Sequence, residues 1–287
     1  MIFIFVFVSA SSSFAYTKTM NNGVGSVNEK LDALDSAIIA EICTICAESP
    51  IISENKDGIE CFYKLDNGNS GHIVEKKFEN GEKHYFFKEG NLENEVIYKA
   101  DGTLLLDGNE VTVTLNQDTV PISFTGFTEQ PSIQPKGKHY NIVTYEDSAP
   151  EGTVASDYSV FVADDVIDVD FNKTAISLTV GALVTILTGG IVQLANIGVV
   201  NGILASIGTG TVATIATSLQ TNHPYSVGSK IDRRRFQHSN GYQISHSSIG
   251  EARFVYKERL KYYARNSSGG YTLFETSYKY RLTRIMT

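Results

Sequence analysis

The sequence predicts an α+β fold: an N-terminal helix with an antiparallel β-meander, a central Gly-rich hydrophobic helical hairpin, and a C-terminal antiparallel β-hairpin or sheet. Three observations carry this expectation. An apolar stripe spaced by threes and fours gives way after Pro50 to period-two alternation. Asn-Gly and Asp-Gly doublets punctuate the alternation, as hairpin turns do. A 47-residue stretch, 174–220, then carries no charged side chain at all.

The chain opens on MIFIFVFV, followed by small residues through Ser13 and Ala15. A short apolar run before a small-x-small pattern reads as an export signal cleaved near Ala15-Tyr16. At eight residues the run is far below the roughly 20 that a spanning helix needs. Residues 1–15 are therefore expected to be a signal peptide and the protein to be secreted, with membrane association left open.

Ser26-Val27-Asn28-Glu29 is a capping box, in which the Ser hydroxyl and Glu carboxylate satisfy orphan backbone donors. Leu31, Leu34, Ile38, Ile42 and Ile45 form the stripe of the helix that follows, and Pro50 stops the pattern. Strands are expected at 59–65, 73–78, 84–88, 95–99 and 111–115, separated by Asp66-Asn67-Gly68, Asn80-Gly81, Asp101-Gly102 and Asp107-Gly108. The two-proline run 128–138 is a loop or linker. A strand at 140–145, a second loop at 146–157 and a strand at 158–171 follow. In that last strand Asp164, Asp165, Asp168 and Asp170 lack the Gly and terminal Glu of a calcium loop, so a solvated strand edge is expected. At the C-terminal end, RFVYKERLKYY (253–263) and YTLFETSYKYRLTRI (271–285) flank Asn266-Ser267-Ser268-Gly269-Gly270 as a long hairpin.

The whole-chain charge of −8 hides three territories. Residues 16–173 hold 12 Lys, no Arg and 28 Asp and Glu, a net −16. Residues 174–229 hold none, and residues 230–287 have 12 Lys and Arg against four acids, a net +8. Such asymmetry means that the two ends attract each other or meet different partners; two independently solvated domains would give the same pattern. The expected units are 16–157, acidic, and 158–287, with the hairpin and a basic Tyr-rich tail. A chain this acidic overall is not a whole-chain nucleic-acid binder.

Within the charge-free stretch, Gly189-Gly190 is the natural turn of the hairpin. Ser177, Gly181, Thr185 and Gly189 recur every four residues before it, and Gly198, Gly202, Ser206 and Gly210 after it, continued by Thr214 and Ser218. On helices each set is a ridge of small side chains that lets backbones approach closely, as in membrane packing. A helix apolar all round is either core or membrane, so a buried hairpin in a soluble protein is the competing reading, with a membrane anchor as a third. In the tail, Arg253, Lys257, Arg259, Lys261, Arg265 and Arg281 are candidate contacts to anionic headgroups, with Tyr256, Tyr262, Tyr263, Tyr278 and Tyr280 as interfacial anchors in a protein without Trp.

A signal peptide, an acidic region, TAISLTVGALVTILTGGIVQLANIGVVNGILASIG and the tail RFVYKERLKYYARN…YTLFETSYKYRLTR together resemble the large secreted geobacillin-like bacteriocin proteins of Gram-positive bacteria, over about 158–287. The resemblance implies an antibacterial protein acting on membranes and makes the acidic region a pro-segment. The expected mechanism is that the tail meets an anionic lipid membrane, the hairpin inserts and self-associates, and the acidic region masks the tail until a processing protease cuts at 128–138 or 146–157. The alternative is a soluble exported or cell-surface binding protein whose hairpin is its buried core or an anchor.

No enzymatic chemistry is written in the chain: there is no G-x-S-x-G, P-loop, G-x-G-x-x-G or H-E-x-x-H pattern, and no cofactor is expected. Cys43-Thr44-Ile45-Cys46 with Cys61 and His72 could offer zinc ligands, but two tight pairs are wanting, so one disulfide with a free thiol, or three buried thiols, is expected instead. Arg233-Arg234-Arg235 is read as a solvated turn or membrane contact.

Overall fold

A computed structural model of the chain describes residues 27–119, 140–172, 177–194, 211–223, 226–239 and 251–286, with side-chain surroundings for most of these. The expected export signal, the linker at 128–138 and the ridge positions Gly198, Gly202, Ser206 and Gly210 lie outside the described residues.

The fold is mixed and mostly antiparallel sheet, as its alternation requires. Helix α1 (Val27–Cys43) buries Leu34, Ile38 and Ile42. Seven strands follow in one meander: β1 (Ile51–Asn55), β2 (Gly58–Lys64), β3 (Ser70–Lys77), β4 (Lys83–Glu89), β5 (Leu92–Tyr98), β6 (Leu104–Leu106) and β7 (Asn109–Glu110), each paired antiparallel with the next. The turns fall where the doublets place them. At Asp107-Gly108 both residues take positive φ, 47° and 79°, which Asp tolerates and Gly favours.

The second sheet is less local. It comprises β8 (Thr112–Thr119), β9 (Tyr140–Glu146), β10 (Tyr158–Asp170), β11 (Gly228–His238), β12 (Glu251–Arg265) and β13 (Tyr271–Met286), in the order β8-β10-β11-β12-β13-β9. Two of its strands thus precede residue 158. The strand β10 lies between β8 and β11 rather than at an edge, which corrects the reading of its aspartates as a solvated margin. The Arg233–Arg235 run is no turn but the middle of β11, because alternate residues there face opposite sides of the sheet.

Two further described helices come from the charge-free stretch: α2 (Val180–Leu194) and α3 (Thr211–Asn222). A helical hairpin turning at Gly189-Gly190 is not formed; the doublet sits inside α2. The roughly 1 kcal/mol that each Gly costs a helix relative to Ala is offset here by burial, since every residue from Leu178 to Gly190 is buried. Helix α2 is packed by α1, α3, β4 and β5 on one side of the molecule and by β8 and β10 on the other. One continuous core, from Leu34 to Ala264, joins both sheets through this helix.

Candidate lipid-facing surface and the buried helix

The first ridge of small residues meets rings, not a helix. A side chain on Gly181 would come within 2.6 Å of the Phe87 ring and 2.9 Å of the Tyr63 hydroxyl, and one on Gly189 within 1.2 Å of the Tyr98 hydroxyl. Between them Tyr98 donates to the Thr185 carbonyl at 3.0 Å. Gly190 points elsewhere, 2.9 Å from Val113, and Ser177, half-buried, precedes the helix. The four-residue spacing therefore receives aromatic side chains of the first sheet. On α3, Thr214 is exposed while Val212, Ala213, Ile215, Ala216 and Leu219 face the core. No described helix is long and apolar enough to cross a membrane.

The charge-free helices begin on carboxylates that the acidic stretch supplies. Thr179 caps α2 through its hydroxyl, which accepts from Ala182 N at 3.1 Å. Glu89 at the end of β4 then accepts from Val180 N at 2.8 Å and Gly181 N at 2.9 Å, and Tyr63 donates to the same carboxylate. Asn94 takes Thr179 N at 2.8 Å. In α3, Ala213 N donates to Glu41 of α1 at 3.4 Å. Negative groups at helix N-termini satisfy orphan donors and oppose the helix dipole. With no acid of their own, α2 and α3 depend on these partners.

A second buried cluster docks α1 on the first sheet. Asp35 accepts from Lys83 Nζ and from the Tyr85 hydroxyl, each at 2.5 Å, and lies 3.2 Å from Lys77 Nζ. Glu75 is beside it. Burial first, and then the Asp35 carboxylate, push the Glu75 carboxyl up to about 7, against a partial pull from Lys83 and Lys77.

The second sheet carries the candidate docking surface on its outer face. Register puts Lys257, Arg259, Lys261, Tyr263 and Arg265 of β12 on one side, opposite Tyr280, Tyr278, Thr276, Leu273 and Tyr271 of β13. Lys257 lies 4.9 Å over the Tyr278 ring and Arg259 5.8 Å over Phe236. Lys257, Arg259 and Lys261 are half-buried and form no ion pair with any described residue, although Lys257 donates to the Ala155 carbonyl at 3.0 Å. The neighbouring strands neutralise the rest: Arg234 pairs with Asp164 at 3.0 Å, and Arg265 pairs with Asp170. The acidic and basic ends of the chain thus meet in one sheet.

Four of the expected contact residues are corrected by this geometry. Tyr262 lies on the opposite, inner face and is fully buried; burial raises its hydroxyl above the ordinary tyrosine range. Arg281 is opposite Tyr256 and shares that inner side. Arg265 is spent on Asp170. Tyr280 is buried against Tyr158, with ring centroids 5.4 Å apart. The side chain of Arg253 lies outside those described. Sequence reading missed Lys230, whose ammonium sits 4.5 Å over Tyr263 and 4.1 Å over Tyr271. Its signal was the alternation through 228–238, which the arginine run obscured.

On the inner face Arg233 donates to Asp165 from Nε at 2.9 Å and Nη2 at 2.5 Å, both groups being buried. Arg235 Nη2 is 3.4 Å from the same carboxylate, and Glu258 lies 3.8 Å from Arg233. With Arg234 on Asp164, all three arginines of the run are paired with aspartates of β10. Cys43, Cys46 and Cys61 are free thiols, and burial pushes Cys46 up to about 11 and Cys61 up to about 12. Among the described residues no three His, Cys, Asp or Glu side chains are grouped to hold a metal ion.

Comparison with protein-family models, with curated proteins and with solved structures returns no match for this chain.

Proposed function

We propose that this chain is an exported, non-enzymatic, membrane-directed protein that docks on anionic lipid through the outer face of β12 and β13. One observation carries the reading: Lys257, Arg259 and Lys261 stand side by side with Tyr263 and Tyr278, without ion-pair partners among the described residues. Basic side chains near an anionic surface are worth about 1 kcal/mol each, and tyrosine suits the interface by its apolar body and polar tip. The stretch 174–229 is what lipid would accept next, being free of charge. In the state described here its helix α2 is sheathed by both sheets.

Release of that stretch is the antibacterial step that the resemblance implies, and the acidic region serves as the sheath. A cut within 146–157 does not free the tail by itself, because β8 and β9 remain paired with β10 and β13. Those strands must also come away.

A second reading has an observation of its own. Gly181 and Gly189 fit Phe87 and Tyr98 closely, which gives the small ridge a purpose inside a soluble core. On that reading the protein binds surfaces and inserts nothing. Flotation and dye release with anionic and zwitterionic vesicles, before and after limited proteolysis, separate the two. Binding to anionic vesicles with release after proteolysis supports insertion. Binding without release supports the second reading. Absence of binding to anionic vesicles overturns both.

A further inference from the structure

We propose that the crossover 147–157 is an autoinhibitory strap on the lipid-docking face, covering Lys257 and Tyr280 until it is released. The proposal deepens the lipid reading and rests on it, since it concerns how much of the same face lipid can reach.

Topology puts the strap there. β9 ends at Glu146 beside β13, and β10 begins at Tyr158 beside β11. The connection between them therefore passes β13, β12 and β11, roughly 19 Å at about 4.8 Å per strand. It passes on the outer side. Lys257, an outer-face residue of β12, donates to the Ala155 carbonyl at 3.0 Å. Its register partner Tyr280 faces the same way yet is only 4% exposed, because the Tyr158 ring lies against it. Two residues away on the same face, Tyr278 is 46% exposed. One end of the face is thus closed and the rest is open. Charge adds to the cover. The strap carries Asp147, Glu151 and Asp157 and no basic residue, so while it lies on the face it opposes an anionic surface.

The strap is lightly held. None of residues 147–157 is buried, and Val154 is 59% exposed. Its ties are polar: Asp147 with Lys279, the Asp157 carbonyl with Ser239 N at 2.6 Å, and the Thr153 hydroxyl with that of Tyr158 at 3.2 Å. A segment with little apolar burial opens at lower cost than the sheet beneath it. The Tyr158 ring can follow, because a register irregularity between Tyr158 and Val160 leaves the first residue of β10 outside the regular ladder. Release leaves the strands in place, since β9 stays on β13 and β10 on β11. What changes is the face: the Lys257 ammonium loses its backbone acceptor and Tyr280 its ring partner. An anionic headgroup offers the first a charged acceptor, and the membrane interface suits the second.

The test uses the full chain with a site-specific protease sequence inserted after Gly152, an exposed residue of the strap, and vesicles of phosphatidylglycerol and phosphatidylcholine. Cutting there should tighten binding to these vesicles roughly fivefold, the effect of one further basic residue at the surface, with an unchanged urea midpoint. Acylation of the Lys257 amine, followed by peptide mass, should speed up on cutting while that of Lys261 stays level. In a Lys257→Gln chain most of the gain in binding should vanish. An uncut chain carrying Asp147→Asn and Thr153→Ala, which loses two ties of the strap, should show the same faster acylation and tighter binding. Failure there overturns the proposal even where the cut chain loses its fold. The proposal falls alone if the uncut chain binds and cutting leaves either the affinity or the Lys257 acylation unchanged, or if the full gain persists in Lys257→Gln. Binding by neither form removes the lipid reading and the proposal with it.

Discussion

Tyr98 donates its hydroxyl to the carbonyl of Thr185 across 3.0 Å, in the space that Gly189 leaves one turn further on. Both groups are buried, and the contact joins the first sheet to the helix from the charge-free stretch. Gly189→Ala puts a methyl group where the phenol stands. Overpacking of this kind costs about 1–3 kcal/mol, and urea denaturation should show it as a lower midpoint. In a Tyr98→Ala background the same substitution should cost clearly less, because the clash is gone. Equal costs in the two backgrounds would show that the ring and the glycine are not coupled.

Glu89 serves three donors, Val180 N, Gly181 N and the Tyr63 hydroxyl. Its removal strands all of them away from water. Each stranded buried donor costs about 1–3 kcal/mol, so Glu89→Ala should destabilise by about 3 kcal/mol or more. Glu89→Gln keeps one accepting oxygen and should fall between the variant and the parent. Hydrogen exchange at Val180 and Gly181 gives a local readout: both amides should exchange much faster in the Ala variant.

Stability should fall as pH rises from about 4.5 to about 7, through the contribution of Glu75. Its folded carboxyl titrates at about 7, above its ordinary value of 4.5. Within that window the folded chain holds a proton that the unfolded chain has lost. The unfolded state therefore gains relative stability with each step upward in pH. Asp35, Lys77, Lys83 and Tyr85 surround the group and set the size of the effect. Urea midpoints measured at pH 5, 6, 7 and 8 should decline, and Glu75→Gln should flatten that slope. A slope unaltered by the substitution places its origin elsewhere.

Replacing Lys257, Arg259 and Lys261 together by Gln should weaken binding to anionic vesicles by roughly a hundredfold, at about 1 kcal/mol per residue. Flotation at low and high salt checks this, since the parent should lose affinity with salt and the variant should lose little more. Folding stability should stay within about 0.5 kcal/mol, as for other surface substitutions.

What the sequence disclosed was local. The first sheet could be read from β2 to β5, because each strand pairs with its neighbour and most turns carry an Asn-Gly or Asp-Gly signature; β1, β6 and β7 were not foreseen, and the strand expected at 111–115 belongs to the second sheet as β8. The stripe Leu34, Ile38 and Ile42 likewise announced α1 and its buried side. The second sheet was legible only in part. Alternation marked β10, β12 and β13, but nothing in β8 or β9 says that one borders β10 and the other closes on β13, because those pairings span many residues. Arg233 illustrates the limit: a run of three arginines looks solvated until Asp165, 68 residues earlier, is brought opposite its first member. The small-residue ridge was expected to receive another helix backbone; at Gly181 and Gly189 it receives aromatic rings instead. Its occupants, Tyr63, Phe87 and Tyr98, could not be named, since spacing along one helix is silent about what stands across from it.

The carboxylates that begin α2 and α3 also impose an order on synthesis. Domains fold from the N-terminus as the chain is made. Glu89 and Tyr98 belong to a meander whose strand pairings lie within residues 51–110, and Glu41 to the helix α1 that precedes it. When the apolar stretch emerges, its caps and its row of rings are already in place, so its exposure as a bare greasy segment is brief. The second sheet has the opposite schedule. Its β9 edge can be sealed only by β13, the last 16-residue strand, so truncation from the C-terminus should yield chains whose helix is housed while half of its shelter is still missing.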